Sequence, residues 1–271
     1  MNLRRILVQA AALLTLLSLF QWTHAQDKPL VKAFGATPPK SVAYIGNSFF
    51  YFNNGIISHL SPMISEGMKG HPYRQSMITI SGSGFDWHDV DAYFRPNAIG
   101  KYSFAADNSV VFNQNSGPLF EASVLMDCSQ CPIHPTMKSV FHEYAKKHSD
   151  TVRKHGSVPV FFMSWAYQDN PEMTQALADA YTAAGNANQV LVIPAGLAFA
   201  RSIAAKPGVN LYAPDKRHPS VEGTYLSAAT TYATLFNRSP VGLKFNAGLN
   251  PEVVAHLQQV AWDTVQQYLG R

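Results

Sequence analysis

The sequence predicts an α/β protein whose central parallel sheet is covered by helices on both faces. Short apolar runs alternate with longer amphipathic segments along the 271 residues, and this alternation is typical of such a sheet. The first run, residues 42–45, is continuously apolar, as expected of a strand buried on both faces. Hydrophobic residues make up 46% of the chain, which is enough for a large core.

The elements follow in a regular order. Core strands are predicted at 42–45, 76–80, 122–126, 158–163 and 190–193. Helices are predicted at 56–68, 86–94, 136–154, 171–184, 197–205, 221–236 and 251–269. Pro62 interrupts the first helix, and Asn170 and Asn250, each followed by proline, are expected to cap two later ones. Residues 95–118 are rich in Asn, Ser, Gly and Pro and predict loops with one short strand at 109–112.

Residues 1–25 are predicted to be a secretory signal peptide. Arg4 and Arg5 precede an apolar stretch, and Thr23 and Ala25 provide small residues for cleavage after Ala25. A membrane anchor is the alternative, but the apolar run falls short of the roughly 20 residues that span a bilayer. We therefore expect residues 26–271 to form a single exported domain that is soluble in the periplasm or outside the cell.

Charge excludes one broad class of partner. The net charge is +4 and the isoelectric point is near 9.0, but the Lys and Arg residues are scattered. Nucleic-acid binding needs a clustered basic patch, so no nucleic-acid partner is expected. The sequence does not indicate an oligomeric state.

The two cysteines, Cys128 and Cys131, have the spacing Cys-x-x-Cys. A disulfide is plausible in an exported protein. A catalytic redox pair is an alternative, although such pairs open a helix early in a βαβ unit, whereas this pair follows a mid-chain strand. A zinc site would need further ligands in a familiar spacing, so no metal is predicted.

Two short segments provide the groups for hydroxyl nucleophilic catalysis. Ser48 follows the first predicted strand in Gly46-Asn47-Ser48, and Asp215 and His218 stand three residues apart before the helix at 221–236. A serine attack needs a histidine base and a carboxylate that orients it. Because ligands bind at the carboxyl ends of parallel strands, the segments are expected to meet there.

The motifs of these segments resemble those of the SGNH (GDSL-like) hydrolase superfamily over essentially the whole mature chain. Gly46-Asn47-Ser48 is similar to its first block in the Gly-Asn-Ser form, and Asp215-Lys216-Arg217-His218 is similar to its Asp-x-x-His block. The resemblance implies a three-layer α/β/α flavodoxin-like sandwich. It also implies that Ser48 is the nucleophile, His218 the general base and Asp215 its orienting partner, with no cofactor.

The same resemblance implies an oxyanion hole formed by the amides of Ser48 and Gly82, with Gly84 as the alternative to Gly82. The family usually has Gly-x-Asn-Asp in its third block, and this chain has Asp127-Cys128-Ser129-Gln130 instead. Gln130 is the predicted substitute donor, and Ser129 is a weaker candidate. A disulfide here is expected to stiffen the loop.

The substrate expectation is a short acyl group, such as acetyl, on a carbohydrate. Trp165 and Tyr167 follow the fourth core strand, where aromatic rings could stack on a sugar. A lipid or lysophospholipid ester, an acyl transfer to another hydroxyl, and a glycan-binding protein with little turnover are the alternatives.

Overall fold

Five parallel strands form the centre of the molecule. The computed structural model describes residues 27–95, 102–112 and 117–271. Its strands are β1 (Ser41–Gly46), β2 (Arg74–Thr79), β3 (Tyr102–Phe104), β4 (Val110–Phe112), β5 (Ala122–Leu125), β6 (Val158–Phe162) and β7 (Leu191–Ile193). The sheet order is β2-β1-β5-β6-β7, and every neighbouring pair is parallel. This is the strand order of flavodoxin-like sheets.

Two groups of helices flank this sheet. The helices are α1 (Ser48–Tyr51), α2 (Ile56–Gly67), α3 (Val90–Tyr93), α4 (Lys138–Lys154), α5 (Met173–Asn188), α6 (Ala195–Ala205), α7 (Val221–Phe236) and α8 (Pro251–Leu269). Helices α2, α7 and α8 pack together, as do α3, α4 and α5, and α6 contacts α5, α7 and α8. The predicted α/β class with a parallel sheet between helices is therefore confirmed.

Helix α7 is the central helix of the first group and is buried from Gly223 to Phe236. It contains several threonines whose hydroxyls would be costly to bury without partners. Thr230, Thr231 and Thr234 each donate to the carbonyl four residues earlier at 2.8 Å. These three hydroxyls are thus satisfied within the helix, which follows the loop that contains Asp215 and His218 directly into the core.

Three sequence predictions need correction at element level. The predicted helix at 86–94 is a 3-10 turn, Phe85–Trp87, followed by α3, because the Asp89 side chain caps a new helix by accepting from the Ala92 amide. Helix α5 begins at Met173 rather than 171, since residues 167–170 form a tight turn first. The described residues of the region 95–118 contain two strands instead of one, because β4 pairs antiparallel with β3.

No helix within 27–95, 102–112 and 117–271 has the length and apolar character needed to cross a bilayer. The predicted signal peptide at 1–25 lies outside the described residues.

Helix α6 approaches the end of β6 so closely that only glycine fits at position 196. A Cβ on Gly196 would lie 2.2 Å from the Ser164 carbonyl oxygen. We expect Gly196→Ala to lower the free energy of unfolding by about 1–3 kcal/mol, because the backbone itself must move. Urea denaturation measures this change. Gly35→Ala is the matched control, since nothing lies within 4 Å of that Cβ position; equal stability of the two variants would contradict the prediction.

Candidate active site

Ser48 lies at the carboxyl end of β1, where the chain turns into α1. Asn47 caps α1 with its side-chain oxygen, which accepts from the Phe49 amide at 3.2 Å. Gly46 does not adopt a positive φ. It leaves space, because a Cβ there would lie 3.0 Å from the Phe50 ring and 3.2 Å from the Met126 Cβ. Ser48 is the first residue of α1, so its amide has no partner within the helix.

His218 and Asp215 lie on a closed loop just before α7. The Ala213 amide donates to the His218 carbonyl at 2.8 Å, and Tyr212 and Pro219 form an antiparallel bridge. Within the loop, one oxygen of the Asp215 carboxylate accepts from the amides of Arg217 and His218, each at 3.0 Å. The amides of its own loop therefore fix the position of the Asp215 carboxylate independently of its contact with the imidazole.

The structure brings the three predicted residues together. His218 Nε2 lies 2.8 Å from Ser48 Oγ, and His218 Nδ1 hydrogen-bonds the second oxygen of Asp215. Because an ionised carboxylate only accepts, Nδ1 donates to Asp215 and Nε2 is free to accept from the serine hydroxyl. This is the arrangement in which an imidazole can take a proton from a serine.

Asp215 stays ionised in this setting. Desolvation raises the pKa of its carboxyl, but the hydrogen bonds from His218 and from the amides of Arg217 and His218 outweigh it and lower the pKa to about 2. The side chain of Asp215 remains 46% exposed and that of His218 24% exposed. The site is therefore open to solvent at its Asp215 end.

Aromatic rings fix the plane of the His218 imidazole. Phe52 stacks parallel to it, with ring centroids 3.9 Å apart, and Phe49 meets it edge-on at 5.5 Å. Both phenylalanines belong to the segment that begins with Ser48. Hence the same short stretch of chain presents the serine and orients the ring that contacts it.

The predicted oxyanion residue Gly82 lies on the loop after β2, which packs onto α1. Gly82 has a φ of 71°, the left-handed conformation that glycine adopts without strain. The Tyr51 hydroxyl donates to Ser81 Oγ at 3.0 Å, and the Asn47 side chain donates to the Ser83 carbonyl at 3.0 Å. These contacts hold the loop beside Ser48, and the role of Gly82 as donor stays a prediction.

Asn47 connects this loop to the third one, a function that the sequence reasoning missed. Its side-chain nitrogen also donates to the Asp127 carbonyl at 3.1 Å. The Asp127 carboxylate in turn accepts from the amides of Phe85 and Cys128, at 2.6 and 2.8 Å. Desolvation raises the pKa of Asp127 to about 7 in spite of these two bonds. A single buried cluster therefore joins all three loops at the serine end of the site.

Cys128 and Cys131 form a disulfide in the third loop, so the two sulfurs are not available as metal ligands or as a reduced pair. Gln130 lies between them with a half-buried side chain, and its carbonyl accepts from the amides of Ile133 and His134. Its role as the substitute oxyanion donor stays a prediction. Ser129 Oγ lies 2.6 Å from the Tyr167 hydroxyl, which connects this loop to the segment after β6.

Trp165 is not a platform for a ligand, and this prediction is wrong. The residue is fully buried, because its ring is stacked between Phe49 and Phe199, with centroid separations of 4.6 and 4.2 Å. Its Nε1 donates to the Arg217 carbonyl at 3.0 Å. Trp165 therefore supports both Phe49, next to Ser48, and Arg217, next to His218.

Tyr167 is half-buried and lies at the rim of the site. The Arg217 guanidinium covers one face of its ring at 4.0 Å and also forms an ion pair with Asp169. One ring face is therefore occupied by a cation, and a ligand can contact only the remaining surface. Whether Tyr167 binds substrate stays a prediction.

A buried histidine beneath the serine turn was not recognised as part of the site. His88 Nε2 lies 3.1 Å from the Gly46 carbonyl and 3.0 Å from Ser83 Oγ, while Nδ1 lies 3.0 Å from the Tyr93 hydroxyl. The carbonyl can only accept, so Nε2 holds the proton and Nδ1 accepts from Tyr93. Desolvation, together with the neighbouring His148, lowers the pKa of His88 to about 4.

Comparison with known proteins supports the fold. No family model matches the chain, and no curated protein matches it. A DUF4886 family protein from Bacteroides uniformis is 17% identical with a TM-score of 0.57, over 82% of this chain and 93% of that chain. A member of the lipolytic G-D-S-L family from Veillonella parvula is 11% identical with a TM-score of 0.51, over 73% and 98%.

The acetylxylan esterase Axe2 from Geobacillus stearothermophilus is also similar, at 14% identity and a TM-score of 0.51, over 76% of this chain and 95% of that chain. At these identities the likeness concerns the backbone architecture. The chain therefore has the fold of the SGNH (GDSL-like) hydrolases, as the resemblance of its motifs implied.

Titration of His88 should make the free energy of unfolding depend on pH. The pKa of His88 is lowered to about 4 in the folded state. Between pH about 4 and 6.5 the unfolded chain therefore binds a proton at this residue that the folded chain does not. We expect the His88 contribution to be fully present above pH 6.5 and to be lost as the pH falls towards 4. His88→Gln should flatten the stability profile across this window, as measured by urea denaturation.

His134→Gln is the control for this measurement, because His134 is exposed. An unchanged slope in His88→Gln, relative to the unmodified protein, would show that the buried imidazole does not titrate as described.

Proposed function

We propose that the protein is an exported serine esterase of the SGNH type, in its Gly-Asn-Ser variant. The observation that supports this is the continuous hydrogen-bonded arrangement of Ser48, His218 and Asp215, with Nε2 at 2.8 Å from Oγ. Its chemistry needs neither a metal nor an organic cofactor.

The reaction would run through an acyl-enzyme. Ser48 Oγ attacks the ester carbonyl while His218 Nε2 takes its proton, and Asp215 stabilises the imidazolium that results. The negative charge on the carbonyl oxygen is held by the amides of Ser48 and Gly82 and by the Gln130 side chain. Collapse of the intermediate breaks the ester bond, and His218 returns the proton to the leaving alcohol. Water then attacks the acyl group by the same sequence.

Export is part of the proposal. The signal-like segment at 1–25 motivates it, and the Cys128–Cys131 disulfide is consistent with an oxidising compartment. The periplasm or the extracellular medium is the proposed location.

For the substrate, we propose a short acyl group on a carbohydrate. The similarity to an acetylxylan esterase favours this choice, and the partial exposure of His218 and Asp215 would admit a bulky alcohol. Trp165 is fully buried and does not contact a sugar ring in this proposal. A lipid ester, acyl transfer to a second hydroxyl and glycan binding without turnover are outcomes that the assays below distinguish.

The decisive experiment measures hydrolysis of chromogenic esters from acetyl to long-chain acyl. We expect Ser48→Ala to lower kcat by at least about 10⁴-fold, because the nucleophile is lost. Ser58→Ala is the matched control, since this serine is exposed and bonds only its own helix turn at Asn54. Turnover that survives in Ser48→Ala would contradict the proposed nucleophile.

Acetate release from acetylated xylan, with and without an added acceptor alcohol, then identifies the acyl class and separates hydrolysis from transfer. Affinity for the polysaccharide that persists in Ser48→Ala, with no acetate released by the unmodified protein, would favour the glycan-binding alternative.

A further inference from the structure

A cavity of about 560 Å³ lies behind the loop that contains Asp215 and His218. Its walls are one face of α6, the turn at 166–171 that precedes α5, and the segment 207–212. Ser48 and His218 do not line it. The volume is within the range of small-molecule sites, which is about 300–1,000 Å³.

The lining is mainly aliphatic and aromatic, with Phe199, Ala200, Ile203, Val209 and Leu211 among its residues. Ile203 is 37% exposed although it is a large apolar side chain. An apolar occupant of the cavity would remove part of this side-chain surface from water, which is favourable.

Three of the five polar side chains of the lining, those of Tyr167, Asn210 and Tyr212, already have partners within the protein. Asn210 donates to the Tyr212 carbonyl and accepts from the Tyr212 amide, at 2.9 and 3.1 Å. The Tyr212 hydroxyl donates to the Ala166 carbonyl at 2.8 Å, and the Tyr167 hydroxyl pairs with Ser129. The lining therefore offers a ligand few unpaired hydrogen-bond donors or acceptors.

We propose that this cavity binds the aliphatic chain of an amphiphile. A mainly apolar interior whose Asn210, Tyr167 and Tyr212 side chains are already paired selects hydrocarbon, since a polar ligand would lose its hydration for few new partners. The mouth is solvent-exposed at Gln168, Ala204 and Pro207, so the end of the ligand at this opening remains in water. That combination favours a molecule with one apolar and one polar end.

The cavity is connected to both parts of the candidate active site. Leu211 and Tyr212 form the cavity wall and also pair with the end of the His218 loop, through the Ser220 amide on the Leu211 carbonyl at 2.9 Å and the Tyr212–Pro219 bridge. On the other side, Phe199 stacks on Trp165, which stacks on Phe49. An occupant would therefore contact residues that support His218 and the Ser48 turn.

The first test uses fatty carboxylates as probes, with calorimetric titration of the mature protein. We expect decanoate to bind, and affinity to rise about fourfold for each added methylene until the cavity is filled. Ala200→Phe, which fills the cavity from α6, should weaken decanoate binding at least tenfold. Ala205→Phe is the matched control, because it places the same ring on the same helix outside the cavity.

Absence of decanoate binding, or binding that is equally strong in Ala200→Phe, would overturn the proposal. Thermal unfolding verifies that each variant is folded. Should Ala200→Phe fail to fold, Ala204→Phe, at the exposed mouth, provides the same block with less disturbance of the core.

A second test separates two sources of the chain and, unlike the first, rests on the proposed esterase function. If the chain is the acyl tail of the substrate, Ala200→Phe should reduce kcat/KM for a decanoyl ester at least tenfold and leave an acetyl ester unchanged. If it belongs to a separate amphiphile, decanoate should alter acetyl ester hydrolysis without competing with it, and Ala200→Phe should remove that effect.

Either kinetic result supports the site. Lack of ester hydrolysis altogether would count against the proposed function alone, since the calorimetric result does not depend on turnover.

Discussion

The candidate active site depends on the buried indole of Trp165. Its ring contacts Phe49, next to Ser48, and its Nε1 donates to the carbonyl of Arg217, next to His218. Ser48 and His218 are 170 residues apart in sequence, so a contact shared by their immediate neighbours fixes the serine and the imidazole relative to one another. The side chain is fully buried and stacked between Phe49 and Phe199, so a change of its rotamer would disrupt both aromatic contacts.

Asn47 has the corresponding role at the oxyanion side. Its side-chain oxygen caps α1, and its nitrogen bonds the carbonyls of Ser83 and Asp127. One amide side chain therefore ties the serine turn to the two loops that contain the predicted donors Gly82 and Gln130. An aspartate at this position could accept from the helix but could not donate to two carbonyls at neutral pH, which gives the Gly-Asn-Ser form a structural consequence in this chain.

The fold class could be predicted from the sequence because it depends on local patterns of apolar residues. The set Ser48, Asp215 and His218 could be predicted because these residues lie in short local motifs. A continuous apolar run ends at the serine turn, and the Asp215 carboxylate is held by amides of its own loop. Trp165 was misassigned because burial depends on Phe49 and Phe199, which are distant in sequence. The carbonyls that Asn47 and His88 contact, those of Ser83, Asp127 and Gly46, are likewise 36 to 80 residues away, and no local pattern identifies such contacts.

The charges around the His218 loop show how the site can be both open and polarised. Asp215 is almost half exposed, so solvent screens its charge, yet its pKa is held near 2 by bonds from its own loop. The neighbouring Lys216 and Arg217 share the carboxylate of Asp169, so with Asp215 the rim holds two cationic and two anionic side chains. Because the Arg217 carbonyl is bound by Trp165 and its guanidinium lies on Tyr167, the Arg217 residue is held at this rim through both its backbone and its side chain. Hydroxyl groups of an alcohol moiety could form hydrogen bonds with these charged side chains, whereas an aliphatic chain would be retained by the apolar cavity on the other side of the loop.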